Sequence, residues 1–307
     1  MECNLDLCID RLNSDSAKWR RYDPDVLPLW VADMDFLSAE PVIRALHERI
    51  DHGVFGYGLC PDELVDVIRA RLDRLYNWQV AAEEIVFCPG VVTGFNIACR
   101  LRSEPGDGVL VQPPGYYPFL GAPANAGRVL QQAEIQRVGA RYELDVDAFE
   151  AAFTDRTRAI ILSNPHNPIG RVYTRQELAA MAEVCLRHNT LICSDEIHCD
   201  LVFSGHEHIP IAALDPEISR NTVTLMAPSK TYNIAGLKCS FAVIQNKELR
   251  QEFCAARAGL VPGINILGYT AALAAYRDGQ PWLDEVLAYM EDNRDYVKRY
   301  VDESLPG

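Results

Sequence analysis

No apolar run in this 307-residue sequence approaches the ~20 residues that a bilayer-crossing helix needs. Basic charge is scarce as well. Against 43 Asp and Glu stand 29 Lys and Arg, a net charge of -14, and that field repels nucleic acid phosphates and anionic lipid headgroups, so neither is an expected partner. The first residues, Met1-Glu-Cys-Asn-Leu-Asp6, have no basic stretch leading into an apolar one. No signal peptide is therefore expected, and the reading is a cytoplasmic protein. The ten cysteines (3, 8, 60, 88, 99, 185, 193, 199, 239 and 254) contain no C-x-x-C pair, and Cys88, Cys193 and Cys239 lie in or beside strand-like runs. That scatter speaks against zinc and disulfides, and for buried free thiols in a reducing compartment. No metal site is expected, and no repeat or low-complexity segment breaks the chain. What is left is an ordinary globular composition, long enough for a large domain with a smaller companion.

Residues 1 to about 45 read as an arm and entry segment. In Leu29-Trp-Val-Ala-Asp-Met-Asp-Phe36 the carboxylates of Asp33 and Asp35 are open to an acid/base or metal role. Capping the helical pattern that follows, Val42 to Ile50, is the commoner use of such residues. Gly53-Val-Phe-Gly-Tyr-Gly58 is a glycine-punctuated turn exposing Tyr57, and an amphipathic helix follows from Pro61 to about Tyr76.

From residue 83 strand-like and helix-like stretches alternate, the signature of βαβ units and a mainly parallel sheet. Glu84 to Phe87 is the first strand; Pro89 to Gly94 reads as a turn opening a helix over Phe95 to Arg102, a candidate phosphate cradle. The strand Gly108 to Gln112 delivers Tyr116 or Tyr117 to its carboxyl end, where an aromatic can stack on a flat ligand or simply pack. Arg158 to Leu162 ends in Ser163-Asn-Pro-His-Asn-Pro-Ile-Gly170, whose two X-Pro steps fix the directions of Asn164 and Asn167. A helix from Arg175 to His188 leads to the strand Thr190 to Cys193 and then to Asp195. Following an apolar strand directly, Asp195 is expected to be buried, and a buried carboxylate needs a cationic partner. The last of these strands, Asn221 to Leu225, runs into Ala227-Pro-Ser-Lys230. A lysine just past a strand's carboxyl end sits where open α/β sheets bind ligands, and desolvation there frees the neutral amine to attack a carbonyl. That stretch alone leaves a surface lysine equally open.

Taken together, a glycine turn opening a helix, a Tyr, an Asn, an Asp and a Lys, each just after a strand, are the set that pyridoxal 5'-phosphate (PLP) requires. The chain resembles the fold-type I PLP enzymes of aminotransferase class I/II, and within them the cystathionine β-lyase (C-S lyase) branch. The strings that carry the resemblance are WVADMDF, HGVFGYG, SNPHNPIG, SDEIHCDL, HIP, APSKTYNIAGLK and PWL, spread from about Trp30 to Val301.

The resemblance implies a PLP-dependent transferase-like fold: a mainly parallel, doubly wound α/β sheet in a large domain over 46–277. Residues 1–45 and 278–307 would then form an arm and an incomplete small α+β domain. It also implies roles. Lys230 would bind the cofactor's aldehyde as a Schiff base, Asp195 would pair with the pyridine nitrogen, and Tyr116 would stack on the ring. Asn167 and His198 would contact the phenolic oxygen. Backbone N–H groups of Val91 and Val92, with Ser229 and Lys238, would hold the phosphate, joined by Tyr57 of the partner subunit in a homodimer with shared active sites. The implied reaction is α,β-elimination from L-cystathionine or a related cysteine S-conjugate to thiol, pyruvate and ammonia. The alternatives are a class I/II aminotransferase, or a catalytically weak PLP-fold fragment acting in binding or assembly. His198 leans toward the lyases, since many aminotransferases place a tyrosine there. Two departures stand out. Ala227 occupies the place, three residues before the lysine, where relatives often have a phosphate-binding hydroxyl. Relatives also continue past the end of this chain into the segment bearing the arginine for the substrate's carboxylate, a role no residue here can be assigned. Weak activity of the chain as it stands is the corresponding expectation.

Overall fold

The computed structural model describes residues 4–305. Cys3, counted among the cysteines above, lies outside the described residues. The strands in chain order are β1 (Ile85–Cys88), β2 (Gly108–Val111), β3 (Val129–Gln132), β4 (Gln136–Val138), β5 (Arg141–Glu143), β6 (Thr157–Ser163), β7 (Leu191–Asp195), β8 (Thr222–Met226) and β9 (Ser240–Val243). The helices are α1 (Glu40–Asp51), α2 (Asp62–Tyr76), α3 (Val91–Ala98), α4 (Tyr117–Asn125), α5 (Val146–Ala151), α6 (Arg175–Arg187), α7 (Pro216–Arg220), α8 (Pro228–Thr231), α9 (Lys247–Arg257), α10 (Ile266–Asp278) and α11 (Gln280–Ser304). Among the described residues no helix is long and apolar enough to cross a membrane.

By compactness the chain forms two units, one of Cys60–Ala227 with Lys238–Ile264, the other of the residues up to Leu59, Pro228–Leu237 and Asn265 onward. This partition is not the one drawn at residues 46 and 277. The packing of α1 against α10 puts 46–59 and 265–277 in the second unit.

The larger unit is built on a seven-stranded sheet in the order β1-β9-β8-β7-β6-β2-β3. β3, β2, β6, β7 and β8 run parallel, and β9 is antiparallel to both of its neighbours, so β1 points the same way as β8. Side chains alternate across a strand, and here both faces are apolar. Val109, Val111, Ile161, Cys193 and Leu225 pack with Phe95 and Phe119 on one face, while Leu110, Ile160, Leu162 and Ile192 pack with Leu178 and Met181 on the other. Strands covered on both faces lose the polar alternation of a half-exposed sheet, which is why they read as continuous apolar runs. The result is the doubly wound, mainly parallel α/β sheet expected from sequence.

In the smaller unit α1 lies on α10. Trp282 Nε1 donates to the Leu37 carbonyl at 3.1 Å, and Phe36 meets Tyr289 edge-on at 5.4 Å, so the WVADMDF segment is held against α11. Asp33 and Asp35 do not cap α1, whose N-cap is Ala39 without a side-chain bond. They face cations of the arm instead: Arg11 reaches Asp33 at 2.8 Å and Asp35 at 2.7 Å, and Lys18 reaches Asp35 at 2.6 Å. A half-buried carboxylate gains more from such partners than from a helix end several residues on.

Candidate active site

The parallel strands end together. Ser163, Asp195 and Leu225 stand side by side in the register of β6, β7 and β8, so the segments leaving these strands share one edge of the sheet. Asp195 is the last residue of β7 rather than the first after it, and is only 4% exposed. Its Oδ1 accepts from the Ile197 N–H at 3.1 Å, its carbonyl accepts from Asn164 N–H at 3.0 Å, and Glu196 N–H donates to the Leu225 carbonyl at 2.9 Å. The backbone at Asp195 is thus fixed on both sides by neighbouring strand exits, and the carboxylate itself is held by the N–H two residues on. Behind it lies a group that sequence reasoning missed. Glu196 is fully buried, accepting from Ser194 Oγ at 2.8 Å, from His208 Nε2 at 2.9 Å and from Ile211 N–H at 3.3 Å. The motif strings SDEIHCDL and HIP, twelve residues apart at this pair, meet through it.

Of the two tyrosines after β2, Tyr117 is 73% exposed, whereas Tyr116 is half-buried and packs edge-on against Phe119 at 5.5 Å. Burial raises the pKa of the Tyr116 phenol, helped by Tyr117 and by the charge of Asp195.

The phosphate cradle differs from its expected form. α3 begins at Val91, not Phe95, because Gly90 at φ 118° turns the chain at once and the helix starts directly after it. Val91 and Val92 are therefore its first two residues, where N–H groups have no intrahelical acceptor, and no side chain caps that end. A Cβ built on Gly90 would meet nothing within 4 Å. Gly94, read as a turn residue, is instead the contact point between helix and sheet: a Cβ there would come within 2.6 Å of Leu225. Ser240 Oγ accepts from Gly90 N–H at 2.9 Å and ties the turn to β9.

The 163–173 loop is laced internally. Asn167 N–H donates to Ser163 Oγ at 3.2 Å, His166 N–H to the Arg171 carbonyl at 2.7 Å, and Gly170 N–H to the His166 carbonyl at 2.8 Å. The Asn164 side chain turns inward and donates to the Ile209 carbonyl at 2.9 Å, whereas Asn167 is partly exposed. His198 is also partly exposed, three residues after Asp195, and its carbonyl accepts from Leu201 N–H. Lys238 is exposed, with φ 56°.

Within the smaller unit, Lys230 lies in the short helix α8, four residues past the end of β8 along the chain. Its Nζ donates to the Ala32 carbonyl at 2.5 Å. Asn233 donates to the carbonyls of Met34 (3.1 Å) and Phe36 (2.8 Å), and Ser38 Oγ donates back to the Asn233 carbonyl. APSKTYNIAGLK and WVADMDF, distant in sequence, are therefore one structural element. Ser229 is partly exposed, and Tyr57 is fully exposed in a loop that also exposes Val54, Phe55 and Leu59.

Residues 24–304 match the family model for aminotransferase class I and II. The chain belongs to that family. Cystathionine beta-lyase PatB of Bacillus subtilis is 41% identical over 312 residues, covering 99% of this chain and 80% of that protein. Among solved structures, OvoB is 46% identical with a TM-score of 0.93, covering 96% of this chain and 78% of its own. Cystalysin from Treponema denticola, which contains a pyridoxal 5'-phosphate cofactor, is 31% identical with a TM-score of 0.96, covering 100% of this chain and 80% of its own. The fold is that of the family's PLP-dependent transferases, and its cofactor is PLP. The donor set of the larger unit suits that molecule: an open helix N-terminus for a phosphate, a buried carboxylate for a pyridinium nitrogen, and a half-buried tyrosine ring. Among the described residues no cluster of His, Cys, Asp or Glu could hold a metal ion.

Proposed function

We propose that this chain is a PLP-dependent carbon-sulfur β-lyase that cleaves L-cystathionine or a related cysteine S-conjugate to thiol, pyruvate and ammonia. The observation that carries the choice of reaction is the 41% identity to a cystathionine beta-lyase across 99% of the chain. When bound, the cofactor supplies an electron sink for charge developing at the substrate's Cα.

In this reading the protein's own residues do the rest. The N–H groups of Val91 and Val92, aided by Ser229 and Lys238, bind the phosphate, with helix partial charge favouring the anion. Asp195 would keep a proton on the pyridine nitrogen, Tyr116 would pack against the ring, and Asn167 and His198 would contact the phenolic oxygen. Lys230 would supply the amine that holds the cofactor's aldehyde, and, once the substrate's own amine had displaced it, would be free to move the Cα proton as general base. The leaving thiol has an ordinary pKa of about 8.5, so its expulsion needs no metal and little acid help. In a homodimer, Tyr57 of the partner subunit completes the phosphate site, and the exposed Val54, Phe55 and Leu59 beside it support a second copy covering that loop. The unbonded cysteines among the described residues fit a cytoplasmic setting.

A transaminase reading has one support of its own: kynurenine--oxoglutarate transaminase 3 of Mus musculus is 32% identical over 75% of this chain and 54% of its own length. The test is to load the protein with PLP, add L-cystathionine with and without a keto acid, and quantify pyruvate, free thiol and new amino acid. Pyruvate and thiol in equal amounts, independent of the keto acid, support the lyase. Stoichiometric amino transfer without thiol overturns it.

A further inference from the structure

His166 occupies the middle of SNPHNPIG and is 2% exposed. Its Nε2 lies 3.0 Å from the carbonyl of Pro114, and a carbonyl can only accept, so Nε2 carries the proton. The other nitrogen, Nδ1, lies 2.7 Å from the hydroxyl of Tyr173, which in a neutral ring must be the donor. Tyr173 is itself buried, with the Arg171 guanidinium 4.9 Å above its ring, and Arg171 is clamped by Glu177 at 2.6 Å. Tyr173, Arg171 and Glu177 thus set the imidazole's tautomer and direction, and the imidazole spends its one N–H on a different loop. That loop is the exit of β2: Pro114 precedes Tyr116 by two residues, and His166 is adjacent to Asn167.

We propose that His166 is a positioning residue, tying the Asn167 loop to the Tyr116 segment through the Pro114 carbonyl so that the ring-stacking and the phenolic-oxygen contacts to PLP are held in one geometry. The inference rests on the cofactor roles given above to Tyr116 and Asn167. A packing-only histidine would be replaceable by any group of similar bulk. A tether requires a donor at the Nε2 position.

Two substitutions separate these. His166→Gln places an amide N–H near Nε2 and can keep the bond to Pro114; His166→Asn places its amide near Nδ1 and cannot reach. For each, the dissociation constant of PLP and the maximum of the bound cofactor's visible band are measured, with the melting temperature of the apo protein as the control for folding. The expected result is that His166→Asn weakens PLP binding by about tenfold or more and moves the band, while His166→Gln stays within about threefold of the parent, as a retained hydrogen bond would allow. Equal behaviour of the two variants, whether both bind normally or both lose the cofactor, overturns the proposal. If either variant does not fold, hydrogen exchange on the unmodified apo protein decides. The amides of Phe119, bonded to the Tyr116 carbonyl, and of His166, Asn167 and Gly170 opening with one common free energy support the tether, and clearly different opening free energies overturn it. Tyr116→Ala and Asn167→Ala are run alongside. If neither weakens PLP, the roles given to those residues fail, and the inference falls with them; if both do and the His166 pair behaves alike, only the inference falls.

Discussion

Acidification should expose His166 in a measurable way. Burial holds its pKa down to about 4, against the 6.5 of a free imidazole; the Pro114 carbonyl opposes the shift and the Arg171 charge adds to it. Between those two pH values the unfolded chain takes up a proton that the folded chain refuses. Stability therefore falls as pH falls from about 6.5 to about 4, with no contribution above the window and no further change below it. At about 1.4 kcal/mol for each tenfold step in proton binding, the gap is worth about 3 kcal/mol, and the ring is too buried for solvent to screen much of it away. Carboxylates titrate in the same range, so the comparison is between the parent and His166→Gln, which shares every other group. Melting temperatures of both apo proteins are recorded from pH 7.5 to pH 4. At about 2 °C per kcal/mol for a chain of this size, the parent should lose about 6 °C more than the variant across the window. Curves that stay parallel throughout would refute the burial argument and the neutral tautomer drawn from it.

Asp195→Ala removes the contact proposed for the charged ring nitrogen, worth about 1.5–3 kcal/mol, so PLP affinity should drop roughly ten- to a hundredfold. The fall in kcat of the loaded enzyme should be larger, and an unchanged kcat would contradict the role given to Asp195. Glu196→Ala strands Ser194, His208 and Ile211 N–H without their acceptor and should cost roughly 3 kcal/mol or more in urea denaturation, with Glu196→Gln costing clearly less. Equal costs would mean that the loss is one of volume rather than of hydrogen bonds. Gly94→Ala gains about 1 kcal/mol of helix propensity but places a methyl 2.6 Å from buried Leu225, an overpacking cost of about 1–3 kcal/mol. Its urea midpoint should fall; a rise would show that Leu225 yields freely.

The parallel strands and the segments at their ends were legible because both depend on local pattern: apolar runs bounded by Gly, Pro and polar residues bring Asp195, the turn bearing Asn164 and Asn167, and the pair Tyr116 and Tyr117 to strand ends, while the choice of Asn167 and Tyr116 came from the family resemblance. Contacts between runs were not legible. His166 meets Pro114 across 52 residues and Glu196 meets His208 across 12, and neither pairing leaves a periodic trace. Asp33 and Asp35 were misread because a helix lay nearby in sequence, whereas their cations came from Arg11 and Lys18. The start of α3 was misplaced because Gly94 looked like a turn residue, and only its approach to Leu225 shows why a glycine stands inside a helix. β3, β4 and β5 are short and largely exposed, so they carry little apolar pattern to detect.

The central claim is that this chain holds PLP on Lys230. It is tested most directly by loading the protein with PLP, reducing with borohydride, digesting, and locating the pyridoxyl mass by peptide sequencing. The account predicts one modified lysine, Lys230, and its absence from Lys230→Ala under the same treatment. A pyridoxyl group on Lys238 or any other lysine, with Lys230 unmodified, would contradict it.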